Sequence, residues 1–178
     1  MKQFCVGTEL TVTSHRESNW REVIAGVREC FSGSLTYASG GETKEVAWWD
    51  DLDYIGVDAY YELTESNNPT VEELKAAWEG PLATLEGVAG RYGKPVLITE
   101  LGYRSIDGAN KAPWDCVISG RVDLPEQADC YQVALEVFWE QPWFAGIYWW
   151  CWDADPERGG ADDDGYTPHG KPAEELLR

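Results

Sequence analysis

Short apolar runs alternate with longer amphipathic stretches along the whole chain. Five runs have the length and composition of buried strands: Phe4–Thr8, Leu35–Ser39, Tyr54–Ala59, Val96–Thr99 and Phe144–Trp149. Apolar residues recur with helical spacing over Asn19–Phe31, Val46–Leu52, Val71–Tyr92, Leu124–Gln141 and Pro172–Leu177. Strands that are apolar on both faces and joined by helical crossovers are typical of a parallel sheet covered by helices. The pattern therefore predicts an α/β fold.

Signals at the predicted helix ends agree with this pattern. Thr70 precedes Glu73 by three residues, the spacing of a capping box, and Pro125 opens another run with Glu126 in its first turn. Gly93 is placed to end the long helix before the next strand. No linker or low-complexity tract interrupts the sequence, so residues 1–178 are expected to form one domain.

The charge and the aromatic content narrow the range of partners. The formal net charge is −18, which repels phosphate backbones and anionic lipid surfaces, so we expect neither a nucleic acid nor a membrane as partner. The sequence contains 10 Trp and 9 Tyr, more than packing requires, and flat aromatic faces provide apolar area on which sugar rings stack. A neutral oligosaccharide or polysaccharide fits this composition.

Cysteine and histidine usage argues against metal and disulfide chemistry. The five cysteines are odd in number and widely spaced, which favours buried reduced thiols and a cytoplasmic location. Two histidines cannot supply the ligands of a catalytic zinc, and we expect neither a metal nor another cofactor. Neither a signal peptide nor a membrane span is evident in the sequence.

Two glutamates stand at the ends of strand-like runs. Glu9 ends Phe4-Cys-Val-Gly-Thr-Glu, and Glu100 ends Pro95-Val-Leu-Ile-Thr-Glu. The C-terminal ends of parallel strands form the ligand-binding edge of such a sheet, and converging carboxylates are the machinery of glycoside hydrolysis. A solvated charge at a strand end is the alternative for either residue.

The spacing of these glutamates tests whether they can meet. They follow the first and fourth predicted strands, which lie about 14 Å apart in a flat sheet with ~4.8 Å between neighbours. A retaining glycosidase holds its two carboxyl groups about 5–5.5 Å apart. Only a sheet curved into a barrel wall satisfies both conditions, so the spacing favours a (β/α) barrel.

Five segments in order resemble glycoside hydrolase family 113, the β-mannanase-type enzymes of the retaining clan with (β/α)8 barrels. The segments are Val6–Leu10, Ile55–Tyr61, Lys94–Tyr103, Gly146–Trp152 and Tyr166–Ala173. The match begins at about barrel strand 4, which implies a partial TIM-type barrel of about five parallel strands, strands 4 to 8, with outer helices. By this resemblance Glu9 corresponds to the acid/base and Glu100 to the nucleophile. Most of the clan has Asn before the acid/base, where this sequence has Thr8.

Four aromatic residues are candidate substrate contacts. Tyr60 or Tyr61 would donate a hydrogen bond to the nucleophile, and aromatic packing at the barrel rim is the alternative. Trp149 and Trp150 lie on opposite faces of the last strand by simple alternation, so one of them would form a stacking floor for a sugar while the other packs against a helix.

The sequence thus predicts a retaining glycoside hydrolase that acts on β-mannan or a related β-1,4-glycan. The alternative is a non-catalytic carbohydrate-binding or remnant half-barrel domain. A five-stranded barrel wall exposes sheet edges and an apolar face, so we also predict a homodimer or higher oligomer that completes the open barrel.

Overall fold

A computed structural model describes residues 2–178 of the chain. Five parallel strands form one sheet in the sequence order β1-β2-β3-β4-β5. The strands are β1 (Gln3–Thr8), β2 (Ser34–Ser39), β3 (Ile55–Asp58), β4 (Val96–Leu101) and β5 (Phe144–Trp149). The helices are α1 (Thr11–Ser14), α2 (Glu17–Cys30), α3 (Val71–Tyr92), α4 (Leu124–Trp139) and α5 (Pro172–Glu175). The predicted α/β fold with five parallel strands is confirmed.

Helix ends follow the local signals of the sequence. Thr70 and Glu73 form the expected capping box at the start of α3, because each side chain accepts a hydrogen bond from the other residue's backbone N–H. Gly93 ends α3 with a left-handed φ of 63°, a conformation that costs glycine nothing. At α4, Asp123 caps the helix by accepting from the backbone N–H of Glu126.

The predicted helix over Val46–Leu52 is mostly wrong, since only the 3-10 turn Trp49–Asp51 forms there. Both indoles of this segment are fully buried and donate to backbone carbonyls outside it, Trp48 to Ser14 and Trp49 to Thr43. These tertiary contacts outweigh the weak helix propensity of so short a run.

The sheet contains two irregular steps in its register. On β1, Cys5 pairs with Thr36 and the next pair is Thr8 with Ala38, so β1 uses three residues where β2 uses two. On β4, the pair of Val57 with Ile98 is followed by Asp58 with Glu100, which leaves one extra residue on β4. An extra residue interrupts the alternation of side chains and turns the following residue to the other face.

The sheet is strongly curved. The Tyr148 hydroxyl of β5 donates to Gln3 Oε1 of β1 at 3.1 Å, although these strands are the first and last of the sheet. Four steps across a flat sheet would separate them by about 19 Å, which is beyond the reach of two such side chains. The curvature required by the spacing of Glu9 and Glu100 is therefore present.

The chain folds as two compact units. The first combines residues 2–59 with Ala83–Glu100 and Pro142–Tyr148, and its core contains Trp20, Tyr37, Trp48 and Trp49. Trp20 stacks on Trp48 with ring centroids 4.7 Å apart. The second unit contains Tyr60–Leu82, Leu101–Gln141 and Trp149–Arg178, with Trp78, Tyr103, Tyr131 and Phe138 in its core. A single domain over 1–178 stays a prediction.

The cysteines correct one expectation. None of the five forms a disulfide, but Cys5, Cys30 and Cys116 are exposed and only Cys130 is buried. The prediction of buried thiols failed because the residues around these three cysteines lie on solvent-facing positions of a strand, a helix and a loop. Within residues 2–178, no helix has the length and apolar character needed to cross a bilayer.

Candidate active site

Glu9 lies directly after β1 in an unusual backbone conformation. Its φ of 50° is left-handed, which is uncommon for a residue with a side chain. The Glu9 N–H donates to the Ala38 carbonyl at 2.8 Å, and the carbonyl of the next residue, Leu10, accepts from the backbone N–H groups of Thr13 and Ser14. The surrounding structure thus holds a strained turn that presents an exposed carboxyl group at the strand end.

Glu100 owes its direction to the irregular step of β4. Simple alternation would place Leu97 and Thr99 on the concave face and Glu100 on the other face. The extra residue instead pairs Glu100 with Asp58, and the Glu100 carbonyl accepts from the N–H of Ala59 at 2.8 Å. Thr99 and Glu100 consequently line the same hollow on the concave side of the sheet.

Glu42 is a third carboxyl group, which the sequence did not single out. It is buried in the loop after β2, where its Oε1 accepts a hydrogen bond of 2.9 Å from the Tyr37 hydroxyl. Burial, together with this bond, raises the pKa of the Tyr37 phenol well above its usual range, so the phenol stays a donor. A β-carbon placed on Gly40 would lie 3.3 Å from Glu9 Oε1 and 3.4 Å from Glu42 Oε2. The Glu9 and Glu42 carboxyls therefore both lie next to Gly40.

Asp58, the last residue of β3, is the fourth carboxyl group of the site. Its side chain is buried, and Oδ1 accepts a hydrogen bond of 2.7 Å from the Thr99 hydroxyl. Burial raises the pKa of Asp58 to about 7, and the negative charges of Glu100, Glu9 and Glu42 add to this rise while the Thr99 bond opposes it. We call Glu9, Glu42, Asp58 and Glu100 the carboxyl cluster.

A hollow of mixed polar and apolar lining lies beside Glu100 of the cluster. Its volume is about 250 Å³, and it is lined by residues from the concave faces of β1, β2, β4 and β5. The lining residues are Gln3, Cys5, Thr8, Thr36, Ala38, Leu97, Thr99, Glu100 and Tyr148. Hydroxyl and amide groups outnumber apolar side chains in this set, which suits a ligand that carries many hydroxyl groups.

The four aromatic candidates belong to the second compact unit. Tyr61 packs edge to face on Trp78 at 5.5 Å, and burial raises its pKa to about 12. Trp149 stacks on Tyr131 of α4 at 4.1 Å, which is the helix packing expected for one of the two tryptophans. Trp150 is 45% exposed, and Tyr60 is half-buried. Contact of any of these rings with a substrate stays a prediction.

One local pattern would have revealed Asp58. Ile55-Gly-Val-Asp58 is an apolar run that ends in an acid, as do the runs that precede Glu9 and Glu100. Glu42 carries no such signal, because it lies in a loop and its burial depends on Tyr37 and on the neighbouring strand ends. The cluster combines carboxyl groups in different environments, which is the condition for keeping one acid protonated and another ionised.

A curved sheet of parallel strands with acids gathered at its C-terminal edge is the architecture of barrel glycosidases. The model of glycoside hydrolase family 113 matches residues 1–171. The chain therefore belongs to glycoside hydrolase family 113. No curated protein matches the sequence.

Solved structures agree with the family assignment. One solved family 113 β-1,4-mannanase, determined as a complex, is 32% identical to this chain and superposes on it with a TM-score of 0.86. The match covers 99% of this chain and 54% of the mannanase. The β-mannanase of Alicyclobacillus acidocaldarius in complex with ManMIm is 33% identical to this chain and superposes with a TM-score of 0.85. That match covers 99% of this chain and 53% of the mannanase. The β-glucuronidase of Ruminococcus gnavus, at 17% identity, has a TM-score of 0.68 over 99% of this chain and 31% of its own, and it shows the fold alone. The chain spans about half the length of the mannanases that it matches.

Proposed function

We propose that the protein is a retaining glycoside hydrolase that cleaves β-1,4-mannan or a related β-1,4-glycan. Glu9 acts as the acid/base and Glu100 as the nucleophile. The observation that carries the proposal is the placement of both glutamates in one carboxyl cluster, since the charges of Glu9 and Glu100 both act on the buried Asp58. The family assignment and the similarity to solved β-mannanases support the choice of substrate.

In this mechanism Glu100 is the nucleophile, and Glu9 acts first as an acid and then as a base. Glu100, in ionised form, attacks the anomeric carbon while Glu9 donates its proton to the leaving oxygen, which gives a glycosyl-enzyme intermediate. Glu9 then removes a proton from water, and this water releases the sugar with its anomeric configuration retained. The exposure of Glu9 is compatible with this exchange of a proton with incoming water.

The direct test is incubation of the purified chain with β-1,4-mannan and assay of new reducing ends. Release of manno-oligosaccharides whose β-configuration is retained in the first product supports the proposal. Binding of mannan without hydrolysis favours the second candidate, a non-catalytic carbohydrate-binding domain. That candidate is motivated by the half-length match to the solved mannanases.

Gly40 provides a test of the site geometry. In Gly40→Ala the new methyl group would press on Glu9 Oε1 and Glu42 Oε2, so the Glu9 carboxyl must move by a few tenths of an ångström. We expect kcat on manno-oligosaccharides to fall about tenfold or more, because small displacements of a reacting group are costly. Gly41→Ala is the matched control, since a methyl group there meets open space. Equal activity of the two variants would contradict a reaction that depends on the position of the Glu9 carboxyl beside Gly40.

We also propose that a second copy of the chain associates along the exposed β1 edge of the sheet and so completes the open barrel. Among the described residues β1 pairs with β2 alone, and its exposed side chains include Phe4 and Cys5. Unpaired strand edges of this kind promote association. Light scattering should give about twice the 20.0 kDa chain mass at micromolar concentration. A stable monomer at that concentration would contradict this association.

A further inference from the structure

Asp58 has one carboxyl oxygen that the fold leaves unsatisfied. Only 6% of the residue is exposed, and its Oδ1 is held by the Thr99 hydroxyl. Its Oδ2 is buried and has no hydrogen-bond partner among residues 2–178. A buried carboxylate oxygen without a donor is costly, whereas a protonated oxygen is itself a donor and needs an acceptor nearby.

The neighbours of Asp58 are acids on several elements. Glu100 lies on β4, Glu9 after β1 and Glu42 in the loop after β2, and the Tyr37 phenol of β2 is a further titratable neighbour. Negative charges on these groups favour the neutral form of Asp58. Glu100 is also its paired residue on the adjacent strand, so their side chains start from positions about 4.8 Å apart on the concave face.

We propose that Asp58 is a positioning residue for Glu100, which it serves as a neutral acid by donating a hydrogen bond from Oδ2 to the Glu100 carboxylate. The inference rests on the proposed role of Glu100 as nucleophile. A hydrogen bond to an ionised acceptor is short and strong, and it fixes the carboxylate without consuming the charge that attacks the sugar. When Asp58 ionises, the donor is lost and a repelling charge takes its place.

This arrangement predicts that Asp58 sets the basic limb of the pH profile. The pKa of Asp58 is about 7, so activity on β-1,4-mannohexaose should decline as pH rises through that value. Asp58→Asn keeps an acceptor for Thr99 and a donor for Glu100 and cannot ionise. At pH 5.5 we expect the kcat of Asp58→Asn to lie within about threefold of the wild-type value. At pH 8 we expect it to be about tenfold higher than wild type, because only roughly one wild-type molecule in ten still has a protonated Asp58 at that pH. Asp58→Ala lacks the donor and should be about tenfold or more slower at both pH values.

Two neighbouring substitutions should move the same limb in opposite directions. Glu42→Gln removes a charge that raises the pKa of Asp58, so the limb should move to lower pH. Thr99→Val removes a hydrogen bond that lowers the pKa of Asp58, so the limb should move to higher pH. A purely structural role for Asp58 would change the rates without moving the limb. Shifts in one common direction would contradict the assignment.

Carboxyl ¹³C NMR tests the protonation of Asp58 without any activity. The protein is labelled at its aspartate carboxyl carbons, and the resonance that disappears in Asp58→Asn is assigned to Asp58. We expect its titration midpoint near 7, and a midpoint below 5 overturns the proposal whatever the activity. A midpoint near 7 with an unmoved limb in Asp58→Asn also overturns it. A wild type that is inactive on every β-1,4-glycan at every pH removes the proposed function and the positioning role together, and the titration still reports the state of Asp58.

Discussion

Replacement of Glu100 by glutamine should abolish hydrolysis of an aryl β-mannoside. The amide cannot attack the anomeric carbon, so no glycosyl-enzyme forms, and kcat should fall by at least about 10⁴-fold. A loss of that size corresponds to about 5.5 kcal/mol of transition-state stabilisation. The irregular step of β4 that directs Glu100 to the concave face is made by the backbone, so the substitution should leave the fold unchanged.

Glu9→Gln should behave differently on the same substrate. An activated aryl leaving group needs little protonation, so the first step survives and the glycosyl-enzyme accumulates. Azide requires no general base and should restore turnover as a glycosyl azide. Glu45→Gln, an exposed substitution on the loop that carries Glu42, is the control and should match wild type. Equal losses in Glu9→Gln and Glu100→Gln without azide rescue would refute the division of roles.

The second large effect concerns stability. The pKa of Asp58 is about 7 in the folded protein against a reference value of 3.8, so the folded state binds the proton more tightly than the unfolded chain. A raised carboxyl pKa stabilises the fold fully below the unfolded value, and this contribution is lost as pH rises through the folded value. Each pKa unit is worth about 1.4 kcal/mol, so wild type should lose up to about 4 kcal/mol between pH 4 and pH 8 from this group.

Asp58→Asn cannot ionise, so it does not lose stability as the pH rises. Its advantage in unfolding free energy over wild type should grow from near zero at pH 4 to as much as about 4 kcal/mol at pH 8, as read from urea titrations at each pH. Asp53→Asn is a control of opposite sign. Although burial opposes it, hydrogen bonds from the Leu35 N–H and Arg28 lower the pKa of Asp53, so this substitution should destabilise at neutral pH and less in acid. An advantage of Asp58→Asn that does not change with pH would rule out a protonated Asp58.

The sequence predicted the strands well because each is a short apolar run with the length of a strand. Residues of β2 and β3 are buried almost throughout, whereas β1 and β5 contain no fully buried residue, so the runs were recognisable whatever their burial. The run Phe144–Trp149 matches β5 at both ends, and β2 differs from its prediction by one residue. The capping box at Thr70 and the glycine at position 93 depend on local chemistry alone, and both formed as expected. These features are encoded within a few residues of the chain, so a single sequence is enough to predict them.

The arrangement of the site could not be predicted in the same way. Strict alternation directs the Glu100 side chain away from the concave face, and only the extra residue in β4 brings it beside Asp58. Such an irregularity depends on how two strands pair, which no periodicity within one strand reveals. Glu42 became buried through its bond to the Tyr37 hydroxyl, a contact between a loop and a strand that has no sequence signature.

Covalent trapping tests the central claim most directly. The purified chain is treated with a 2-deoxy-2-fluoro-β-mannosyl fluoride, whose fluorine slows hydrolysis of the intermediate, and is then measured by intact-mass and peptide mass spectrometry. A retaining mechanism with Glu100 as nucleophile predicts one fluoromannosyl group per chain, located on the peptide that contains Glu100 and absent in Glu100→Gln. A chain that takes up no label, or takes it up on another residue, would contradict the proposed function.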